Sequence, residues 1–171
     1  MKKVKIITGS DTGNTEYVAK DIQKLLEPME VEIQKVHNIR PNDWDADFYI
    51  LGAPTWFDGE CSQDWNWYIK SGKFGEVDFT DKVVAIYGLG DQVGYPDYYC
   101  DAIGILGNIV LHNGGELVGF TNPTGHVFDH SKGFNDDIKK FMGLALDEDN
   151  QPDLTHERLD DWVKELQIYL K

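Results

Sequence analysis

Cysteine is almost absent. Cys61 and Cys100 are the only two in 171 residues. They form neither a CxxC pair nor a metal-ligand spacing, so dithiol redox chemistry and a zinc centre find no support. Two free thiols suit a reducing compartment. No run of about 18 apolar residues occurs, so no membrane-spanning helix is expected. Met1-Lys2-Lys3-Val4 runs straight into a short apolar segment, without the longer apolar stretch of a secretory signal, and a cytoplasmic location is expected. Basic residues are scarce too, 16 Lys and Arg against 30 Asp and Glu, for a net charge of -14. That excess argues against a nucleic-acid partner, whose phosphates call for cations. It fits either steering toward a basic protein face or plain acidic solubility, and charge alone does not separate the two. Repeats, low-complexity tracts and linkers are also missing. The length fits one domain over residues 1–171, able to bury roughly 70% of its unfolded surface without disulfides.

What is present is alternation. β-rich apolar runs at Lys3–Thr8, Val31–Val36, Phe48–Leu51, Val83–Tyr87 and Glu116–Phe120 alternate with helical patterns. The first, third and fourth are nearly all apolar, as strands buried on both faces of a parallel sheet require. The first helix carries Val18, Ile22, Leu25 and Leu26 on one face, ahead of Pro28. Others are expected after Gln63 and from Tyr98 to His112. The last has Thr155 as its expected N-cap, Glu157 in its first turn, and a stripe of Leu159, Trp162, Val163, Leu166 and Leu170. The predicted class is α/β with a doubly wound parallel sheet.

The most informative loop is Gly9-Ser10-Asp11-Thr12-Gly13-Asn14-Thr15, between the first strand and the first helix. Backbone N–H groups and a helix N-terminus converge there and favour an anion. It contains no Lys or Arg. Compared with GxxxxGK[ST], its glycines are one residue too close and Asn14 stands at the Lys position, which rejects a hydrolysable nucleoside triphosphate. G-x-G-x-x-G also fails. A cradle for one phosphate and an ordinary strand-to-helix turn with capping residues both remain open for this loop by itself.

Two polar-aromatic loops follow the third and fourth strands. One runs Ala53-Pro54-Thr55-Trp56-Phe57-Asp58-Gly59-Glu60, the other from Gly88 through Tyr95 to Cys100. In open α/β sheets ligands sit beyond the carboxyl ends of the strands, so all three loops should share one site. Trp56 on one side and Tyr95 or Tyr98 on the other would clamp a planar ring. Taken singly, each of these aromatics is equally open to a core reading. Trp44, Trp65, Trp67 and Trp162 are assigned to the core or to helix faces. The five histidines show no ligand spacing.

Taken together, these segments resemble the flavodoxins, specifically the long-chain branch. The resemblance is carried by the Gly9–Thr15 loop, Pro54-Thr55-Trp56 with Gly59-Glu60, Gly88-Leu89-Gly90-Asp91-Gln92-Val93-Gly94-Tyr95, Asp101-Ala102-Ile103-Gly104-Ile105-Leu106, and Gly143 to Gln151. It implies a three-layer α/β/α sandwich with a five-stranded parallel sheet of order 2-1-3-4-5. The last strand would be interrupted by an insertion from about Phe120 to Asp137, the chain resuming near Phe141. It implies non-covalent FMN, with Ser10, Asp11, Thr12, Gly13, Asn14 and Thr15 on the phosphate, Trp56 on the inner ring face and Tyr95 on the outer. Backbone at Asp91, Asp97, Tyr98 and Cys100 would meet the pyrimidine edge, and Thr55 and Asp149 the ribityl chain. Pro54, Phe57, Asp58, Gly59, Gly88, Leu89 and Gly90 complete the two ring loops.

The implied function is low-potential, one-electron transfer by a monomer. A ferredoxin/flavodoxin-NADP⁺ reductase-like donor and basic-faced acceptor enzymes would be its partners. Asp58, Glu60, Asp64, Asp91, Asp97, Asp101, Asp147, Glu148 and Asp149 fall in or beside the ring loops, where carboxylates disfavour added electrons unless they form only a solvated rim. Three residues depart from the family pattern. Asn14 stands where several members have Lys, Asp11 adds a charge beside the phosphate, and a bulky Phe57 stands where Gly or Asn is common. An FMN-dependent NAD(P)H:quinone-type reductase is the alternative, but no added segment supplies its substrate pocket. A receiver domain shares the winding but needs clustered Asp at the end of the first strand, where Thr8-Gly9 stands.

Overall fold

A computed structural model describes residues 2–171, and in it the apolar runs become the centre of one parallel sheet. The chain runs β1 (Val4–Thr8), α1 (Asn14–Leu25), β2 (Val31–Lys35), β3 (Phe48–Pro54), α2 (Gln63–Lys70), β4 (Val83–Leu89) and α3 (Asp101–His112). It continues through β5 (Glu116–Val118), β6 (Phe134–Asn135), β7 (Lys140–Phe141), β8 (Leu144–Leu146) and α4 (Thr155–Leu170). The sheet order is β2-β1-β3-β4-β5, with β8 also bonded to β4.

Alternation along each strand makes two cores. Ile6, Ile50 and Ala85 lie in register and pack with Val18, Ala19 and Ile22 of α1 and Leu159, Trp162 and Leu166 of α4. Their chain neighbours Ile7, Leu51 and Ile86 face the opposite way, against Trp65 of α2 and Ile103 and Leu106 of α3. Helices therefore cover both faces, as the α/β/α expectation requires.

The fifth strand position is split. β4 pairs with β5 through Val83–Ala85 and with β8 through Tyr87–Leu89. The chain leaves the sheet at Gly119 (φ +77°), whose carbonyl accepts the Trp162 indole N–H at 2.8 Å. Thr121 and Phe141 then exchange backbone hydrogen bonds at 3.1 and 2.9 Å, closing the insertion at its base. Phe128 and Phe141 pack in it against Tyr99, and Phe134 packs against both phenylalanines, giving the excursion a small aromatic core.

Several boundaries differ from expectation. β3 continues to Pro54 and β4 to Leu89, because the paired register carries on past the apolar runs. Pro54 and Leu89 are thus strand residues. β5 stops at Val118, and the sheet resumes at Leu144, since Phe141 is taken by the small β6–β7 pair. α3 begins at Asp101, after a separate 3-10 turn over Pro96–Tyr98. Thr155 is already helical, with Leu154 as N-cap; its hydroxyl donates to the Glu148 carboxylate and caps nothing.

Candidate functional site

The loop after β1 is shaped from beneath. A Cβ on Gly9 would strike the Trp65 indole, so only glycine lets the chain turn there. Ser10 Oγ accepts the Gly13 N–H at 2.7 Å, which curls the loop, and Gly13 takes φ +93° before α1 begins. Tyr87, reaching across from β4, donates its hydroxyl to the Thr15 carbonyl at 2.7 Å and fixes the first turn of α1. Gly52 makes room for that tyrosine, whose ring a Cβ would hit. Thr15 is fully buried, and its own hydroxyl has no hydrogen-bond partner.

Asp11 faces elsewhere. Its carboxylate accepts the N–H of Gln63, the first residue of α2, at 3.2 and 3.4 Å. Ser62 makes no capping hydrogen bond there, so Asp11 serves α2 as a cap brought from another loop.

The loop after β3 is a tight turn. Trp56 N–H donates to the Glu60 carbonyl at 2.6 Å, and Glu60 N–H returns to Trp56 at 2.9 Å. Phe57 (φ +44°) and Gly59 (φ +87°) are both left-handed. Phe57 is 64% exposed, whereas Trp56 is half-buried, with its indole N–H enclosed and unpartnered. Thr55 Oγ1 accepts the Ala102 N–H at 3.0 Å and joins this loop to the start of α3.

The loop after β4 is held by its own carboxylate. Asp91 Oδ1 accepts N–H groups of Val93 at 3.1 Å and Gly94 at 2.7 Å, and the Asn150 amide at 2.8 Å. Burial pushes the Asp91 carboxyl up, but these donors outweigh it and hold the group below the usual carboxylate range. Buried Asp147 accepts from Gln92 N–H and Nε2 at 3.1 and 2.7 Å, clamping the loop to the segment after β8. Asp149 lies at the edge, its carboxyl raised by burial and by Asp91 and Asp147. Burial pushes the Cys61 thiol up to about 12 and raises the Cys100 thiol as well, so neither is a nucleophile.

The three loops and the segment after β8 enclose a cavity of about 300 Å³, lined by Thr12, Asn14, Thr15, Pro54, Thr55, Trp56, Leu89, Gly90, Asp91, Tyr95, Glu148 and Asp149. Of these, Glu148 belongs to no binding motif, and the sequence marks it only as one of the acidic residues beside the ring loops. Asp11 and Phe57 line instead a second, open depression, which Thr12 and Trp56 also border. Ser10, Gly13, Asp58, Gly59, Gly88, Asp97, Tyr98 and Cys100 do not line the cavity. Gly88 is enclosed in the sheet, where a Cβ would press on Ile103 at 2.6 Å, and Cys100 is fully buried with φ +51°. Among the described residues no group of His, Cys, Asp and Glu is arranged to hold a metal ion.

Three strand-end loops around one cavity, one of them a cation-free cradle, are matched over residues 6–162 by the family model described as Flavodoxin. The chain belongs to the flavodoxin family. Flavodoxins are electron-transfer proteins and not enzymes. The chain is 42% identical to flavodoxin of Klebsiella pneumoniae over 167 residues, 97% of this chain and 93% of the relative. It is 43% identical to flavodoxin 1 of Escherichia coli K12 over 162 residues, 94% and 90% of the two chains. A crystal structure of Fusobacterium nucleatum flavodoxin bound to flavin mononucleotide superposes with a TM-score of 0.92 at 34% identity, covering 99% of each chain.

Proposed function

We propose that this chain is a low-potential one-electron carrier with non-covalently bound FMN in the 300 Å³ cavity. The observation that carries the reading is the Thr15 hydroxyl, fully buried, unpartnered and lining the same cavity as Trp56 and Tyr95. Buried polar groups are nearly always paired, so this one is fitted to a ligand acceptor. The loop N–H groups, Ser10, Thr12, Asn14 and Thr15 would hold the phosphate at the start of α1. Asp11, engaged with α2, would stand outside that set. Trp56 and Tyr95 would cover the ring, Thr55 and Asp149 would lie along the ribityl chain, and the backbone at Asp91, Asp97, Tyr98 and Cys100 would meet the ring edge. Bound FMN supplies the one-electron chemistry. The protein orients it, excludes water from it and surrounds it with carboxylates.

The acidic character supports donors of the ferredoxin/flavodoxin-NADP⁺ reductase type and basic-faced acceptors. The reading includes a monomer working in the cytoplasm; among the described residues no helix is long and apolar enough to cross a membrane. Titrating the FMN-free protein into FMN tests it. Quenching of flavin fluorescence at one equivalent is expected, followed on stepwise reduction by a distinct absorbance spectrum of the one-electron-reduced protein. No quenching, or a single two-electron step, would overturn the reading.

A further inference from the structure

Asp101 opens α3, and its side chain is fully buried. Oδ1 accepts the backbone N–H of Lys132, in the insertion, at 2.7 Å. Oδ2 is enclosed and has no hydrogen-bond partner. It lies directly against Gly59, where a Cβ would collide with it. The turn on that side is short of acceptors: the Gly59 and Glu60 N–H groups share one carbonyl, that of Trp56, at 3.1 and 2.9 Å. The same turn holds Phe57 in the left-handed region, which side chains tolerate poorly. A buried carboxylate oxygen without a donor is itself disfavoured. Burial accordingly raises the Asp101 carboxyl against the lowering pull of the Lys132 N–H and of the Lys132 and His130 side chains. An unused acceptor therefore faces a strained turn in which two N–H groups compete for one carbonyl.

We propose that Asp101 is a positioning residue whose Oδ2 accepts the Gly59 N–H as the Trp56–Glu60 turn settles on the cofactor ring. One carboxylate then ties that turn to the insertion, Oδ1 holding Lys132 and Oδ2 holding Gly59. The assignment rests on the FMN reading above. It gives the insertion a part in setting the ring environment without touching the ring.

Asp101→Asn tests it, because it preserves size and can keep a carbonyl for Lys132 while placing an NH₂ at the Oδ2 position. FMN affinity is expected to fall about 5- to 30-fold, while the FMN-free variant melts no lower than the parent. A pure charge effect has the opposite sign, since losing a negative charge near a phosphate-bearing ligand tightens binding. Unchanged or tighter FMN binding therefore overturns the proposal. The Gly59 amide resonance is the second readout and is expected to move in the variant. An unmoved Gly59 amide overturns the proposal as well. If the parent itself fails to quench FMN, it is the cofactor reading that falls, an outcome distinct from a parent and a variant that bind FMN equally well. Asp101→Ser, small and uncharged, gives the same readouts should the Asn variant not fold.

Discussion

At Thr15 a hydroxyl is buried without a partner in the protein, a cost to the folded chain that the proposed phosphate contact would offset. The two consequences have opposite signs and separate cleanly in Thr15→Val, which keeps the shape and drops the oxygen. FMN affinity should fall about 10- to 100-fold, the worth of one hydrogen bond to a charged group. The melting temperature of the FMN-free protein should stay level or rise. A calorimetric titration beside a melting curve reads both, and a loss of stability with intact affinity would make Thr15 a core residue only. Phe57 presents a different residue-level cost. Its φ of +44° lies where a Cβ costs about 1–2 kcal/mol. Phe57→Gly removes that cost, so the turn beside the proposed ring site can rearrange more freely when the ring is reduced. The first one-electron potential should be higher in Phe57→Gly than in the parent. Equal potentials in a redox titration would show that the backbone at Phe57 does not limit the turn.

At the scale of elements, the strands were legible where both faces are buried. Val4–Thr8, Phe48–Leu51 and Val83–Tyr87 are apolar because α1 and α4 cover one face and α2 and α3 the other. Their ends were less legible, since Ala53-Pro54 and Gly88-Leu89 look like loop residues and extend the strands by pairing with each other and, for Gly88-Leu89, with β8. Thr155 carries a cap signature, yet its hydroxyl is drawn to Glu148 by the fold of the segment after β8. The three site loops were readable as motifs. The bonds that hold them were not: Tyr87 to Thr15, Asp11 to Gln63 and Asp101 to Lys132 join positions far apart in the chain. No local pattern announces such partners. The insertion adds a titrating group that the sequence left as one of five unremarkable histidines. His126 Nδ1 lies 2.9 Å from the Tyr99 hydroxyl, and burial, with Arg158 adding to it, holds the imidazole down at about 4. The unfolded chain protonates histidine near 6.5. Between about 4 and 6.5 it binds more protons than the folded one, so this contribution to stability is complete above 6.5 and is lost as pH falls toward 4. His126→Gln should flatten that part of the curve of melting temperature against pH. Parallel curves for the parent and His126→Gln would mean that His126 titrates alike in both states.

For the whole molecule, the decisive quantity is where the charge of -14 acts. Parallel strands put the loops after β1, β3 and β4 at one end of the sheet and the starts of β1 and β2 at the other. Exposed Asp58 and Asp97 belong to the first end, in the turns that flank the cavity. Exposed Glu27 and Glu30 belong to the second, beside Val4 and Val31. Total charge weighs both pairs equally, whereas steering toward a basic face weighs the end that docks. Screening acts over about 10 Å at 0.1 M salt, short enough to tell one end of the sheet from the other. Reduction by a basic-faced reductase should therefore slow as salt rises, when followed by stopped flow. Asp58→Asn with Asp97→Asn should make that dependence shallower, while Glu27→Gln with Glu30→Gln, an identical change in net charge, should leave it as it is. Equal slopes for the two double variants would reduce the acidity to solubility. Unequal slopes would place electron entry at the carboxyl ends of the strands, where the cavity is.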